Sequence, residues 1–583
     1  MTLKASTHLC GIGMLFAFIA AIPLWAQGGL GGQPVGPGQG MRLPPRAQAG
    51  RPQTDIPPGT SVMRGQVIAA DTGSPIRRAQ VRIQSLDARE SRVTATGADG
   101  RFEIKELPAG RYTMTASKGG FVTLQYGQRR PSESGTPIEL ADNQAIDKLT
   151  IALPRGGVIG GRIVDEFGEP VANASVMAMR YGFVAGTRRL MPAAGANVND
   201  TTDDQGRYRL FGLPPGDYYV SAMLRAGGRE ITDSSGERSG YAPTYYPGTS
   251  NMAEAARVNL AVSQESTEVS FGLIATKLVS VSGHVLNSEG QPASGGVVTL
   301  ASGGTAGRAA MFQMGGGGRI DQTGSFRLPS VAPGNYELQV RTAGRGDGQF
   351  ARMPLSVGAA DVEGLTIVTA PGARVTGSVV TDTGEAPDFR PQQLQIVARV
   401  ATPDQQLGGG PGGSRVNQDW TFELNNLTEA RLIRVGAPQG WTLKSVSANG
   451  VDITDTPAEF PPGQAVSGVV VVLSRQVSAL SGMVADARNR PVLDATVVVF
   501  PEDEQLWTFQ SRFVKTARPD QEGRYRIASL PAADHYLIVA VQGLEEGQAG
   551  DPEYLASIKN AAVKFALNDG ENKSVDVKLS TRQ

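Results

Sequence analysis

The sequence has little of the chemistry on which enzymes and metal sites depend. Its 583 residues include one cysteine and three histidines. Cys10 and His8 lie near the N-terminus, and His284 and His535 occur on separate predicted strands without a glutamate at the spacing of a zinc site. Neither histidine is flanked by a nucleophile turn of the kind that a Ser-His-Asp triad needs. We therefore predict no catalytic residues, no cofactor and no metal site.

The chain also lacks an excess of charge and a second long apolar run. Lys plus Arg and Asp plus Glu number 55 each, so no basic surplus is available to neutralise a phosphate backbone, and nucleic acid is not predicted as a partner. After the N-terminal region, the longest apolar candidate lies around Val466 to Leu473, well short of the roughly 18 to 20 residues that span a bilayer. No transmembrane span is predicted after signal removal.

The N-terminus has the pattern of an export signal. Lys4 supplies a positive charge, an apolar run follows from Gly11 to Leu24, and Ala26 offers a small residue for cleavage. Residues 27–60 are rich in Gly and Pro without hydrophobic periodicity, which is typical of a flexible linker. We expect a signal peptide at 1–26, a linker at 27–60, and a mature protein that is periplasmic, on the cell surface or secreted.

What the sequence does contain is internal repetition, which indicates several similar domains. A Gly-x-(Val/Ile) element recurs five times, each copy followed nine or ten residues later by a proline and then by a short apolar run. This order predicts a strand, a turn and a second strand. The five glycines are Gly65, Gly161, Gly283, Gly377 and Gly482, and the prolines are Pro75, Pro170, Pro292, Pro387 and Pro491.

Two further turns recur in the same order. The first is acidic, ends in glycine and precedes an aromatic, as in Asp99-Gly100-Arg101-Phe102 and Asp204-Gln205-Gly206-Arg207-Tyr208. The second is of the type Leu107-Pro108-Ala109-Gly110-Arg111-Tyr112, in which Pro and Gly set the turn and Tyr starts a strand. The fourth copy diverges, because Leu427-Thr428-Glu429-Ala430-Arg431 replaces the second turn.

About seven short strands in each hundred residues predict an all-β chain of five tandem antiparallel Greek-key β-sandwich domains. The predicted boundaries of these five copies are 61–153, 154–275, 276–369, 370–474 and 475–583, with 370–474 as the divergent copy.

The order of these elements resembles the carboxypeptidase regulatory-like domain family, whose members are similar to transthyretin in fold. The resemblance covers residues from about 61 to 583. It implies an Ig-like, carbohydrate-binding-like sandwich fold and export, and it implies little chemistry. Such modules typically accompany a peptidase domain or an outer-membrane receptor, or form strings in exported bacterial proteins.

Copies two to five carry extra length between the second strand and the acidic turn, at about 182–200, 302–318, 402–416 and 502–517. Loops of varied composition on a constant frame are places where binding often resides, although the interpretation as disordered spacers is favoured. We expect them at corresponding ends of successive sandwiches.

The candidate ligand-binding residues are Tyr241, Tyr245 and Tyr246, within a segment rich in tyrosine and proline. Exposed tyrosines stack on sugar rings or anchor a protein, but a reduced counterpart at Tyr126 favours a structural turn. The sequence thus predicts a non-catalytic structural or interaction protein that presents loops to an envelope or extracellular protein or to a polysaccharide. Carbohydrate binding by these tyrosines is the alternative, and an accessory role in an envelope peptidase or receptor system is a third possibility.

Overall fold

The molecule consists of β-sheets, as the repeated strand pattern predicts. The computed structural model describes residues 59–87, 90–130, 133–184, 186–195, 197–224, 231–232, 238–302, 317–344, 348–402 and 412–580. Within this part of the chain the one α-helix is Pro552–Ile558. The predicted signal peptide, nearly all of the linker and most of the loops at 302–318 and 402–416 lie outside the described residues.

Each copy contains a first sheet in which the Gly-x-(Val/Ile) strand is central. The strands of these first sheets, in chain order, are Ser61–Ala69, Arg101–Leu107 and Ala145–Leu153; Gly157–Val164, Arg207–Leu213, Glu265–Ser266 and Phe271–Gly272; Val279–Leu286, Ser325–Val331 and Val362–Val368; Ala373–Thr381, Thr421–Leu427, Thr442–Ala448, Val451–Asp452 and Ala465–Ser474; and Ala479–Ala485, Arg524–Ala528, Asn572–Ser574 and Val577–Lys578.

A second sheet is built in each copy around the strand that follows the recurring proline. Its strands are Gln80–Ser85, Ser91–Ala95, Gly110–Ser117, Leu124–Gln125 and Ile138–Leu140; Ala174–Val184, Thr187–Pro192, Asn199–Thr201, Gly216–Leu224, Thr244–Tyr245 and Val258–Leu260; Gly296–Ser302, Gly318–Arg319, Gly334–Thr342, Gln349–Val357 and Ala370–Pro371; Gln395–Val400, Gly412–Arg415 and Arg431–Gly436; and Thr496–Pro501, Lys515–Ala517, Ala533–Val541 and Val563–Leu567.

Smaller elements complete the chain. A three-stranded sheet at the junction of copies two and three consists of Ile231–Thr232, Arg238–Ala242 and Ile274–Lys277. Short 3-10 helices lie at Met252–Glu254, Pro391–Gln393, Glu504–Leu506, Gln548–Gly550 and Lys559–Ala561.

The first sheets are mixed, so the prediction of purely antiparallel sandwiches is wrong. In copy one the central strand pairs antiparallel with Arg101–Leu107, where Gln66 lies opposite Arg101, and parallel with the last strand, where Val67 lies opposite Ile151. The same parallel pairing of first and last strands recurs in the other four copies. Hairpin neighbours must be antiparallel, but the last strand arrives after the chain has crossed from the second sheet, and that connection does not fix its direction.

Each copy has a hydrophobic core of its own between its sheets, and alternating burial along the strands fills it. From Arg101 to Lys105 the burial pattern alternates between exposed and buried positions, as period-two side-chain geometry requires. The tyrosine that follows the second recurring turn is fully or nearly fully buried in copies one, two and five, as Tyr112, Tyr218 and Tyr536. Its hydroxyl donates back to the carbonyl oxygen of Pro108, Pro214 or Pro531 respectively, which satisfies a polar group that burial would otherwise leave unpaired.

The glycine of the Gly-x-(Val/Ile) strand is required by a close approach of backbones. A Cβ on any of the five glycines would overlap the carbonyl oxygen of the parallel last strand. In copies one, four and five the aromatic of the acidic turn also lies against this glycine, and the ring carbon of Phe102 would lie 2.7 Å from a Cβ on Gly65. In copy five the Tyr525 hydroxyl donates to the same approaching carbonyl, that of Val575, at 2.6 Å. The glycine and the aromatic thus form one packing unit.

The acidic turns bind their own backbone. In copies two, three and five one carboxylate oxygen, that of Asp203, Asp321 or Asp520, accepts from two N–H groups of the turn at 2.8 to 2.9 Å. In copy two the capping residue is therefore Asp203 and not Asp204, which the sequence pattern singled out. The described residues hold no group of three or more His, Cys, Asp or Glu side chains that are placed to bind a metal ion.

Candidate functional site

The three candidate tyrosines lie in a turn of copy two and are packed to different extents. Tyr245 is 7% exposed and lies in a cluster with Met177, Met179 and Leu190 on the outer face of the second sheet. Burial raises the pKa of its phenol. Tyr246 is half-buried and meets Phe271 edge to face, with ring centroids 6.0 Å apart. This packing leaves little ring surface of either residue for a ligand.

Tyr241 lies at the start of the same segment and faces a neighbouring turn. Its hydroxyl donates to the Glu166 carboxylate at 2.8 Å, and its backbone pairs with Ala275 in the junction sheet. The structure therefore brings Tyr241 and Tyr246 against the core of copy two as parts of a structural turn. Ligand binding by the three tyrosines stays a prediction.

The histidines occupy outward positions on strands of different copies. His284 is exposed on Val279–Leu286, and His535 is exposed on Ala533–Val541. The predicted absence of a catalytic centre is not itself tested by their positions.

The insertion of copy two forms a hairpin that reaches copy five. From Met179 onward the strand Ala174–Val184 pairs with Thr187–Pro192, and near the tip the Gly186 N–H donates to the Gly547 carbonyl oxygen at 3.1 Å. Gly186 has φ +84°, and a Cβ there would overlap the carbonyl oxygen of Gly550. Glycine is therefore needed at the tip both for its backbone angle and for the close contact with copy five.

The insertion of copy five contacts copy four, mainly through Arg512. The guanidinium of Arg512 donates to both carboxylate oxygens of Asp455 at 2.8 and 2.6 Å, and to the Leu443 carbonyl oxygen at 2.8 Å. Both charged side chains are about four-fifths buried. Bidentate pairs of this kind fix orientation as well as adding energy. Two of the predicted variable loops thus bind other parts of the same chain.

The divergent turn of copy four forms part of the contact with copy three. By strand register Arg431 takes the place of the buried tyrosine, because it lies opposite Val400 as Tyr112 lies opposite Ser85. Arg431 is 2% exposed and donates from Nε to the Thr428 carbonyl oxygen at 2.8 Å. In the same turn Glu429, with φ +65°, pairs with Arg352 of copy three. Sequence analysis marked this turn as divergent but had no signal for its role in the contact.

The first and last copies also contact each other. Arg129 pairs with Asp494 at 2.6 Å, and Arg518 pairs with Glu133 at 3.7 Å with both side chains at least nine-tenths buried. Desolvation lowers the pKa of Arg518, whereas the carboxylate of Glu133 opposes that effect. Residues 58–583 accordingly form one compact unit.

The Gln521 side chain contributes a second kind of contact between these copies. Its amide group accepts from the Glu139 N–H at 3.3 Å and donates to the Glu139 carbonyl oxygen at 3.2 Å. It therefore pairs with the edge of strand Ile138–Leu140 as a further strand residue would.

Comparisons with known proteins give distant likenesses among solved structures. A minor pilin of Streptococcus agalactiae is 17% identical, with 37% of this chain and 95% of the pilin covered and a TM-score of 0.20. The TIE protein of Bacillus anthracis is 10% identical, with 73% and 74% covered and a TM-score of 0.15. The RrgB pilus protein of Streptococcus pneumoniae is 10% identical, with 73% and 98% covered and a TM-score of 0.13. No curated protein sequence matches the chain.

A family model gives the clearest result. The carboxypeptidase regulatory-like domain matches residues 62–154, 158–263 and 479–580, just over half of the chain. These ranges carry the glycine, proline and acidic-turn elements of copies one, two and five, whereas copies three and four lie outside the match. The helix in the described part is too short to cross a membrane. The chain belongs to the carboxypeptidase regulatory-like domain family.

Proposed function

We propose that this chain is an exported, non-catalytic scaffold of five tandem Greek-key β-sandwich domains, which presents its surface to a protein or polysaccharide at the cell envelope or outside the cell. The proposed domains are 61–153, 154–275, 276–369, 370–474 and 475–583. The observation that carries the proposal is that the insertions of copies two and five bind other copies of the same chain.

Five separate hydrophobic clusters support the proposed domain count. Each lies within one predicted domain, and each contains strands from both sheets of that copy. Copy five has a further cluster in which Phe500 and Trp507 pack beneath the helix Pro552–Ile558. A domain with its own core is expected to fold as a unit, so contacts between copies serve to fix their arrangement.

Several groups that sequence analysis examined for chemistry have structural partners instead. The Asp203 carboxylate of an acidic turn accepts from the Arg207 N–H, and the hydroxyl of Tyr208, the aromatic that follows this turn, donates to the Val269 carbonyl oxygen. This use of polar groups favours a scaffold role over catalysis. Participation as an accessory to an envelope peptidase or receptor is compatible with the same proposal.

Export is tested by producing the full chain with its own N-terminus and a C-terminal tag in a bacterial host. Fractionation followed by mass spectrometry of the N-terminal peptide is expected to find the tagged protein outside the cytoplasm, starting at Gln27. Recovery from the cytoplasm with residues 1–26 intact would contradict the proposal. A variant in which Ala26→Arg blocks cleavage serves as the control for processing.

A further inference from the structure

One hairpin of copy four carries the single Asn-Gly pair of the sequence. Asn449 and Gly450 join the strands Thr442–Ala448 and Val451–Asp452 directly. The backbone angle φ is +50° at Asn449 and +81° at Gly450. Positive values at both central residues are typical of a type I′ turn, which Asn and Gly favour in two-residue hairpins. The pair therefore lies at the tip of a tight turn.

The side-chain amide and the backbone nitrogen of this turn are not held by the rest of the fold. Asn449 and Gly450 are both exposed. Within the described part of the chain, neither the side-chain amide of Asn449 nor the N–H group of Gly450 has a hydrogen-bond partner. In a two-residue hairpin the second turn residue lies outside the ladder, so its N–H group is left to solvent. The amide carbon of Asn449 and the nitrogen of Gly450 are therefore free to approach each other.

Asn489 in copy five has a similar backbone angle but a different neighbour. It is exposed, has φ of +58° and is followed by Arg490. The N–H group of Arg490 donates to Oδ1 of Asp486 at 2.9 Å. The nitrogen next to Asn489 is thus held in a hydrogen bond, and its residue carries a long side chain. Asn489 therefore serves as a comparison within the same chain.

A free amide and a free nitrogen in this arrangement can close a five-membered ring. The nitrogen of Gly450 loses its proton to a base in the solvent and bonds to Cγ of Asn449, and the side-chain nitrogen leaves as ammonia. Water then adds to one of the two carbonyl carbons of this succinimide and breaks its bond to the ring nitrogen, which gives aspartate or isoaspartate. Glycine favours closure because it has no Cβ beside the nitrogen and reaches backbone angles that other residues avoid. We propose that Asn449 is a site of this spontaneous modification, for which water is the co-reactant.

The product changes the backbone of the hairpin as well as its charge. Isoaspartate adds one further carbon atom to the main chain between the two turn residues, so the two-residue turn no longer fits and the pairing of Val451 with Ala448 should be lost. The effect should end at Thr454, because its hydroxyl accepts from the N–H group of the buried Val446 at 2.8 Å. The modification is therefore expected to release the tip of the hairpin and to leave the rest of copy four folded.

The full chain is incubated at neutral and at mildly alkaline pH, and its peptides are followed by mass spectrometry. We expect the peptide that contains Asn449 to gain the mass difference between OH and NH2, to yield isoaspartate as well as aspartate, and to convert faster at the higher pH. Asn489 should remain unchanged over the same period. In Gly450→Ala nothing lies within 4 Å of the added Cβ, so the variant should fold, and conversion should slow about tenfold or more because ring closure loses the freedom of glycine.

Arg490→Gly is the matched control for the hydrogen bond. It gives Asn489 a following glycine, while Asp486 still accepts from the N–H group at that position. Asn489 of this variant should therefore convert several-fold more slowly than Asn449.

Hydrogen exchange measures the effect on the hairpin. In the modified protein, exchange should become faster at Val451–Asp452 and stay unchanged at Val446. Freshly prepared Asn449→Asp carries the charge without the extra carbon atom, and its exchange should match that of the unmodified chain.

The proposed site would be overturned by an Asn449 that does not convert, by conversion without isoaspartate, or by an undiminished rate in Gly450→Ala. Equal rates at Asn449 and at Asn489 of Arg490→Gly would overturn the role of the free N–H group. Unchanged exchange at Val451–Asp452 after modification would overturn the release of the hairpin. These results do not depend on contacts between copies, so the proposed scaffold is tested separately.

Discussion

Replacing Gly186 by alanine should detach the hairpin of copy two from copy five. Gly186 and Gly168 lie in the same copy with φ of +84° and +81°, so an alanine at either position carries a similar conformational cost, about 1 to 2 kcal/mol. At Gly168 there is nothing within 4 Å of an added Cβ, whereas at Gly186 the Cβ would overlap the Gly550 carbonyl. Gly168→Ala is therefore the matched control.

The free-energy cost of Gly186→Ala beyond that of Gly168→Ala is estimated from the interactions that the contact with copy five contains. The overlap forces the tip away from copy five and breaks the Gly186 to Gly547 hydrogen bond, a loss of about 0.5 to 1.5 kcal/mol. Displacing close-packed backbone typically costs about 1 to 3 kcal/mol. An excess of about 2 kcal/mol corresponds to roughly 30-fold faster local exchange.

Hydrogen exchange measured by mass spectrometry provides the assay. Amides of Gln548–Ile558 in copy five should lose protection in Gly186→Ala and keep it in Gly168→Ala, because only the first substitution opens the contact. Equal protection of this segment in the two variants would refute the contact between copies two and five.

Three further predictions concern the core, pH and ligand binding. Gly65→Ala should destabilise copy one by about 1 to 3 kcal/mol, because the added Cβ would overlap the Leu149 carbonyl, and hydrogen exchange of Ser61–Ala69 should become faster. The control is Gly119→Ala, where nothing lies within 4 Å of an added Cβ and stability should change by less than about 0.5 kcal/mol. Equal effects of the two substitutions would contradict the packing account. Desolvation, aided by the charge of Arg512, lowers the pKa of Lys515 to about 8, compared with about 10.4 in the unfolded chain. Between these two pH values the unfolded chain binds more protons than the folded chain. The resistance of copy five to urea should therefore increase as the pH rises from about 8 to about 10. Lys515→Met should abolish that increase in fluorescence-monitored urea unfolding, and an unchanged increase would exclude Lys515 as its source. On a glycan array, Tyr241→Ala should reduce any binding that uses the tyrosine segment, whereas a signal identical to that of the wild type would exclude Tyr241 from the site.

The sequence was most informative where a structural requirement is local. Positive φ at Gly100 and Gly206 follows from the turn, and the pattern of Asp, Gly and an aromatic predicts it from a few adjacent residues. The sequence does not show which of two adjacent aspartates accepts the N–H groups of the turn. Asp203 and Asp204 both fit the pattern, and the folded structure shows that the acceptor is Asp203.

The features that sequence analysis missed depend on partners distant in the chain. The direction of the last strand follows from a crossing between sheets, and no local pattern records it. Gln521 and Arg129 are ordinary polar residues in sequence, and their contacts follow from the approach of copies one and five. The exposure of Tyr245 was likewise decided by the methionines packed against it.

The parallel pairing of first and last strands has a consequence for how each copy responds to tension. In copy one the chain enters at Ser61 and leaves at Leu153, at opposite ends of a paired ladder that runs from Val62 to Ala69. A force that pulls these ends apart slides one strand along the other and loads many hydrogen bonds together. In an antiparallel hairpin the same force would open the bonds one after another. Each copy is therefore expected to resist a force that pulls its first and last residues apart.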